Sequence, residues 1–210
     1  LVSKLWRDAS KPAAAYPRRF DFDAFPDMLI WTQSTGVIAM MDNDEALSLP
    51  YERVVGLLGA HAAKNVCYFA AIRGSVRLLK WTRENNLDWS AGTCSDAARN
   101  GQLLALQYLH ENGCPWDVST CLCAAHNGHL PALQYLHENG CPWDSDTCSY
   151  AALNGHLPAL QYSHENGCPW DEETCSDAAQ HERWDCLQYA VDNKCDEWKE
   201  YAEKYAKYLR

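Results

Sequence analysis

The 210-residue chain lacks any run of about 18 consecutive apolar residues, and with it any segment able to cross a membrane as a helix. It is also short of positive charge. Eighteen Lys and Arg stand against 28 Asp and Glu, a formal net charge of −10, so the field of the whole molecule repels phosphate and excludes nucleic acid as a partner. No C-x-x-C pair occurs among the 11 cysteines. Structural zinc is normally held by such tight pairs, so neither a metal nor any other cofactor is expected. Nor is any thiol singled out beside a base, which removes the usual signature of a catalytic cysteine within the repeats, and residues 11–46 carry no catalytic motif, so no enzymatic activity is expected. The cysteine number is odd, and five cysteines recur beside small residues, as buried side chains do. Reduced cysteines and an intracellular setting, cytoplasmic or nuclear, are therefore expected. Because the sequence begins at Leu1 rather than Met, it is expected to be a piece of a longer chain.

What the chain does have is 47% hydrophobic residues, enough to rule out wholesale disorder, and a repeat. GCPWDVSTCLCAAHNGHLPALQYLHEN, residues 113–139, is followed at once by GCPWDSDTCSYAALNGHLPALQYSHEN, residues 140–166, and the copies differ at only six of 27 positions. The period extends both ways: cysteine at 67, 94, 121, 148 and 175, glycine at 74, 101, 128 and 155, tryptophan at 89, 116, 143 and 170. Self-similarity at this period predicts an all-α solenoid, in which each unit buries its apolar face only by stacking on its neighbours.

Within each unit two helices are expected. The first is T-C-x-x-A-A-x-x-G, Thr120 to Gly128, started by Asp117 and Thr120, approached closely by a neighbour at Ala124 and Ala125, and ended by a glycine at positive φ. The second runs from Leu130 to Asn139, with Leu130, Leu133 and Leu136 on one face, Pro131 in the first turn, and Gln134, His137 and Glu138 toward solvent. The link G-C-P-W-D carries the tryptophan column, which is expected to stack indole on indole as a buried ladder. Ser163 stands where the flanking units have Leu136 and Leu109 and is expected to point inward. Three segments follow from this pass: 1–46 as an N-terminal piece with connector and cap, including a short helix at Pro26–Thr32 and an apolar segment near Val37; 47–195 as the array, degenerate before residue 60; and 196–210 as a closing helix with Trp198, Tyr201, Tyr205 and Tyr208 on one side.

Reduced to T-C-x-x-A-A-x-x-G-H-L-x-x-L-x-x-L-x-E-N-G, the unit resembles the ankyrin repeat, with Gly128 to Gly140 following that family's second-helix run and Ala124 and Ala125 its alanine pair. The six-residue deficit against the usual 33 falls between Trp143 and Thr147, where the family builds a β-hairpin finger, so fingers are expected to be short or absent. The opening LVSKLWRDAS is similar to the closing run of an F-box, in Val2, Ser3, Lys4, Trp6 and Arg7. The first resemblance implies a monomeric, non-enzymatic scaffold that binds a protein partner through its concave face. The second implies the alternative of a substrate-recognition subunit of a ubiquitin ligase.

Five of the six differences between the near-identical units lie in the link and first helix, the part that carries recognition in ankyrin-type arrays. The columns Asp96, Cys123, Tyr150, Asp177 and Arg99, His126, Leu153, Gln180 are the candidate partner contacts.

Overall fold

The computed structural model describes residues 65–209, and all regular secondary structure among them is α-helix. The F-box-like run, the connector, the expected cap over 11–46 and the degenerate repeat at 47–59 lie outside the described residues. The described chain divides into two compact units, one holding residues 65–70 and 77–87, the other 71–76 and 88–209. Helix α1 spans Val66–Arg73 and α2 Val76–Glu84; Leu78, Leu79 and Trp81 are buried in the first unit.

The second unit is a row of helical hairpins. They are α3 (Ala91–Arg99) with α4 (Leu103–Glu111), α5 (Val118–His126) with α6 (Leu130–Glu138), α7 (Ser145–Leu153) with α8 (Leu157–Glu165), and α9 (Glu172–Gln180) with α10 (Trp184–Asp192), closed by α11 (Trp198–Lys204). First helices pack on first helices, second on second, and each on its hairpin mate. This is the solenoid that the 27-residue period predicts.

Local chemistry sets the helix limits. Asp117 caps α5: its carboxylate accepts from the Ser119 N–H at 3.0 Å while Thr120 Oγ1 accepts from the Asp117 N–H at 3.4 Å. Asp171 does the same for α9, accepting from the Glu173 N–H at 3.1 Å, and Glu172 and Glu173 add negative charge at the positive end of that helix. At the other end of α5 the chain turns through Gly128 at φ +70°, which returns the His129 N–H to the Ala124 carbonyl at 2.9 Å. The second helices end on an asparagine whose amide folds back on the last turn, as Asn139 Nδ2 does to the Tyr135 carbonyl at 2.8 Å.

The core is a set of parallel columns, one residue per unit. Leu106, Leu133, Leu160 and Leu187 form one, Ala97, Ala124, Ala151 and Ala178 another, Cys94, Cys121, Cys148 and Cys175 a third, and all of them are fully buried. Each such leucine contributes about 2–3 kcal/mol of burial. Ser163 is 0% exposed in the column of Leu109 and Leu136, pointing inward as expected, and its hydroxyl has no hydrogen-bond partner.

The tryptophan column differs from expectation. Trp89 is buried, but Trp116, Trp143 and Trp170 are half-buried, and none stacks on another. Each indole lies instead against the histidine six residues earlier: His110 on Trp116 at 3.8 Å, His137 on Trp143 at 3.9 Å, His164 on Trp170 at 3.7 Å between ring centroids. The tyrosine of the following second helix meets each pair edge-on, Tyr135, Tyr162 and Tyr189 standing 6.1–6.4 Å from the three indoles. The reason is spacing. Equivalent residues in neighbouring units are one helix diameter apart, about 8–10 Å, too far for rings to touch, so the gap is filled from other columns. His137 is thereby drawn out of solvent onto an indole.

At the C-terminal end Tyr208 stacks on Trp184 at 4.1 Å, and Tyr201 and Tyr205 lie parallel at 6.3 Å. No residue of α11 is fully buried, so this end is closed by ring faces lying flat rather than by inserted side chains.

Candidate functional site

The eight candidate contact residues lie on the row of first helices. In each helix the two columns are three residues apart and share a face. Between helices the structure joins them diagonally. Arg99 on α3 sends Nη2 to the Cys123 sulfur on α5 at 3.3 Å, and His126 on α5 lies 5.6 Å from the Tyr150 ring on α7, tilted by 42°. Both contacts link the second column of one helix to the first column of the next.

Exposure sorts these residues. Arg99, Tyr150 and Gln180 are exposed, and Asp96, His126, Leu153 and Asp177 are half-buried. Cys123 is only 5% exposed beneath the Arg99 guanidinium, so it supports that side chain rather than offering itself to a partner. Burial pushes the Asp96 carboxyl above the usual carboxylate range, with Arg99 opposing it. Burial also raises Asp177, aided by the Asp171 charge and opposed by His181. The surface is thus an aromatic and aliphatic centre, His126, Tyr150 and Leu153, with a carboxylate on either side.

A further column holds this face in place, and the candidate set omits it. His129 bonds from Nε2 to the carbonyl of Arg99 at 3.1 Å, Gln102 from Nε2 to that of Ile72 at 3.3 Å, and Arg183 from Nε to that of Leu153 at 3.1 Å. His156 occupies the same column, its ring over Gly128 with the backbone of His126 in reach. Each side chain reaches back to the last turn of the preceding first helix, where carbonyls are left open by the helix itself. It lies across the glycine there: a β-carbon on Gly128 would come 2.5 Å from His156 Nδ1, and one on Gly101 2.6 Å from His129 Nδ1. The signal was in the sequence, as a polar residue directly after each repeat glycine, but its target sits 30 residues upstream. Burial lowers the His156 imidazole below its ordinary pKa, and the nearby His126, His129 and Arg183 push the same way, against the pull of the His126 backbone carbonyl as acceptor.

Among the described residues no group of three or more His, Cys, Asp or Glu is arranged to hold a metal ion, and no helix is long and apolar enough to cross a membrane.

Residues 94–137 match the family model for ankyrin repeats (many copies). Among solved structures the chain is similar to the human ASB11 ankyrin repeat domain, with a TM-score of 0.53 and 15% identity over 62% of this chain and 69% of that one. It also aligns with the pentatricopeptide repeat protein PPR10 in complex with an 18-nt psaJ RNA element, over 92% of this chain and 34% of that one, at a TM-score of 0.32 and 13% identity, a likeness too loose to bear on fold or ligand. No curated protein matches the sequence. The repeat resemblance therefore holds: the array is an ankyrin-type helical solenoid, and among its described residues no strand forms the fingers.

Proposed function

We propose that this array of ankyrin-type repeats is a non-enzymatic protein-binding module whose partner seats on the first-helix face around His126, Tyr150 and Leu153, flanked by Asp96, Arg99, Asp177 and Gln180. One observation carries the reading. Two units otherwise nearly identical differ at Cys123/Tyr150 and His126/Leu153, and these four positions lie together on that face, with His126 and Tyr150 in ring contact. Beneath them Ala124/Ala151 and Leu133/Leu160 are unchanged and fully buried, and in the second helix only the buried pair Leu136/Ser163 differs. A change of side-chain chemistry on an outer patch, over alanine and leucine columns that are kept, is what a surface adapted to a partner requires. Half-buried carboxylates beside an aromatic centre favour a partner that brings a basic group next to an apolar one.

The test is affinity capture from cell extract with the intact chain and with Asp96, Tyr150 and Asp177 all changed to alanine. Loss of a protein from the triple variant, with its helical circular dichroism unchanged, supports the assignment. Retention of the same proteins by both chains places the partner elsewhere.

A narrower version rests on Val2, Ser3, Lys4, Trp6 and Arg7: as the end of an F-box, they would make the array the substrate-recognition arm of a ubiquitin ligase. Translating the sequence upstream of Leu1 decides it. A helical apolar pattern opening with Leu-Pro some 30 residues earlier supports this version, and a plain polar tail removes it.

A further inference from the structure

All eleven cysteines are buried and none is in a disulfide, yet eight of them stand in pairs. The neighbours are Cys94 and Cys114, Cys121 and Cys141, Cys148 and Cys168, and Cys175 and Cys195, always 20 residues apart. In each pair one sulfur sits in a first helix and the other just beyond the second helix, so the pair spans the open base of one helical hairpin. The second sulfur also donates to the carbonyl of the residue that caps the first helix: Cys114 to Ser90 at 3.4 Å, Cys141 to Asp117 at 3.4 Å, Cys168 to Asp144 at 3.2 Å, Cys195 to Asp171 at 2.9 Å. The Cys121 sulfur approaches the Cys141 carbonyl at 3.9 Å, which fixes the two cysteines face to face.

Two neighbouring buried thiols, repeated four times with the second sulfur of each held on the cap carbonyl one turn before the first, select what chemistry the site can accept. Two sulfurs are too few for tetrahedral zinc. An anionic metal thiolate would leave charge in a dry core. A disulfide is neutral, needs only these two sulfurs, and requires them to be brought to bonding distance.

We propose that the four pairs are modification sites: a low-molecular-weight disulfide of the glutathione class converts Cys94/Cys114, Cys121/Cys141, Cys148/Cys168 and Cys175/Cys195 into intramolecular disulfides, each closing one helical hairpin into a covalent ring. The thiolate of one cysteine attacks the reagent, its S–S bond breaks, and one reagent thiolate leaves. The second cysteine gives up its proton to a leaving thiolate and attacks the mixed disulfide, expelling the other half. The pair loses two electrons and two protons, and the reagent is reduced to two thiols. Burial restrains the reaction to moments when a hairpin opens, so it is slow in the native array and specific in its products.

The experiment incubates the intact chain with oxidised glutathione under native conditions, quenches with an alkylating reagent, and reads intact mass and linked peptides without reduction. The expected result is a loss of about 2 Da per closed pair, with linkages only at the 20-residue spacing and with Cys123 and Cys186 alkylated. Cys195→Ala is expected to remove the Cys175–Cys195 linkage and leave the other three. Linkages at the seven-residue spacing such as Cys114–Cys121, glutathione adducts that do not resolve, or no mass loss under conditions that oxidise the urea-unfolded chain each overturn the proposal.

Discussion

The imidazole of His137 lies flat on the indole of Trp143, with planes 11° apart, and Tyr162 of the next second helix closes on both rings edge-on. The three side chains come from a second helix, the link after it and the neighbouring unit, so the cluster ties one unit to the next. Trp143→Ala removes an indole face and two ring contacts, each worth about 0.5–1.5 kcal/mol beyond area burial, and is expected to destabilise the array by about 2–3 kcal/mol. Urea unfolding followed by circular dichroism measures it. A loss below about half a kcal/mol would mean the stack is a surface ornament.

Ser163 places a hydroxyl without a partner in a column otherwise filled by leucine. Restoring the side chain with Ser163→Leu removes the cost of an unsatisfied buried group, about 1–3 kcal/mol, and fills the space beside Leu136. The melting temperature is expected to rise. A fall would show that the neighbouring helices have already closed over the smaller residue.

Gly128 and Gly140 separate two effects that a repeat glycine usually combines. Both have positive φ, +70° and +78°, but a β-carbon at 128 meets His156 while one at 140 meets nothing within 4 Å. Gly140→Ala is expected to cost only the left-handed backbone strain, about 1–2 kcal/mol. Gly128→Ala should cost more, because it also displaces the His156 ring from its carbonyl. Equal losses in denaturant titrations would show that the ring moves aside freely.

The His156 imidazole also gives the array a pH dependence of known sign. Its folded pKa lies below the ordinary 6.5, so the unfolded chain binds the proton more readily, and stability falls as pH drops through 6.5 toward the folded value. Asp96 and Asp177 act oppositely. Their raised carboxyl pKa values favour the folded state on the acid side, a contribution lost as pH rises from 3.8 through the folded values. The interval from pH 7 to 5.5 brackets the ordinary histidine value. His156→Gln, which can keep the carbonyl bond as Gln102 does, is expected to flatten the melting temperature over that interval; an unchanged slope would assign the dependence to other groups.

Most of the fold could be read from the period alone, because a 27-residue repeat with two apolar faces has few other ways to bury them. Thr120 to Gly128 and Leu130 to Asn139 bracket the observed α5 and α6 within two residues at each end. Contacts between units were not legible, and for one reason. The sequence aligns like with like, Trp143 under Trp116 or Cys148 under Cys121, whereas helices packed a diameter apart bring unlike columns together. His110 meets Tyr135, Arg99 meets Cys123, Cys121 meets Cys141, and His129 meets the Arg99 carbonyl. In the candidate face the columns were chosen by their variability, which says which residues differ and nothing of which ones shield another. Cys123 beneath Arg99 is the result.

The side chain that finishes each first helix is supplied from downstream, by His129 for α3 and by Arg183 for α7. This gives the row a direction, as in a line of tiles where each overlaps the one before. A segment of 27 residues inserted in phase arrives with its own plug for its predecessor and receives one from its successor, so every junction is complete whatever the number of copies. Lengthening such a protein by duplication requires no new fit to be found, and two adjacent copies as alike as residues 113–139 and 140–166 are what such growth leaves behind.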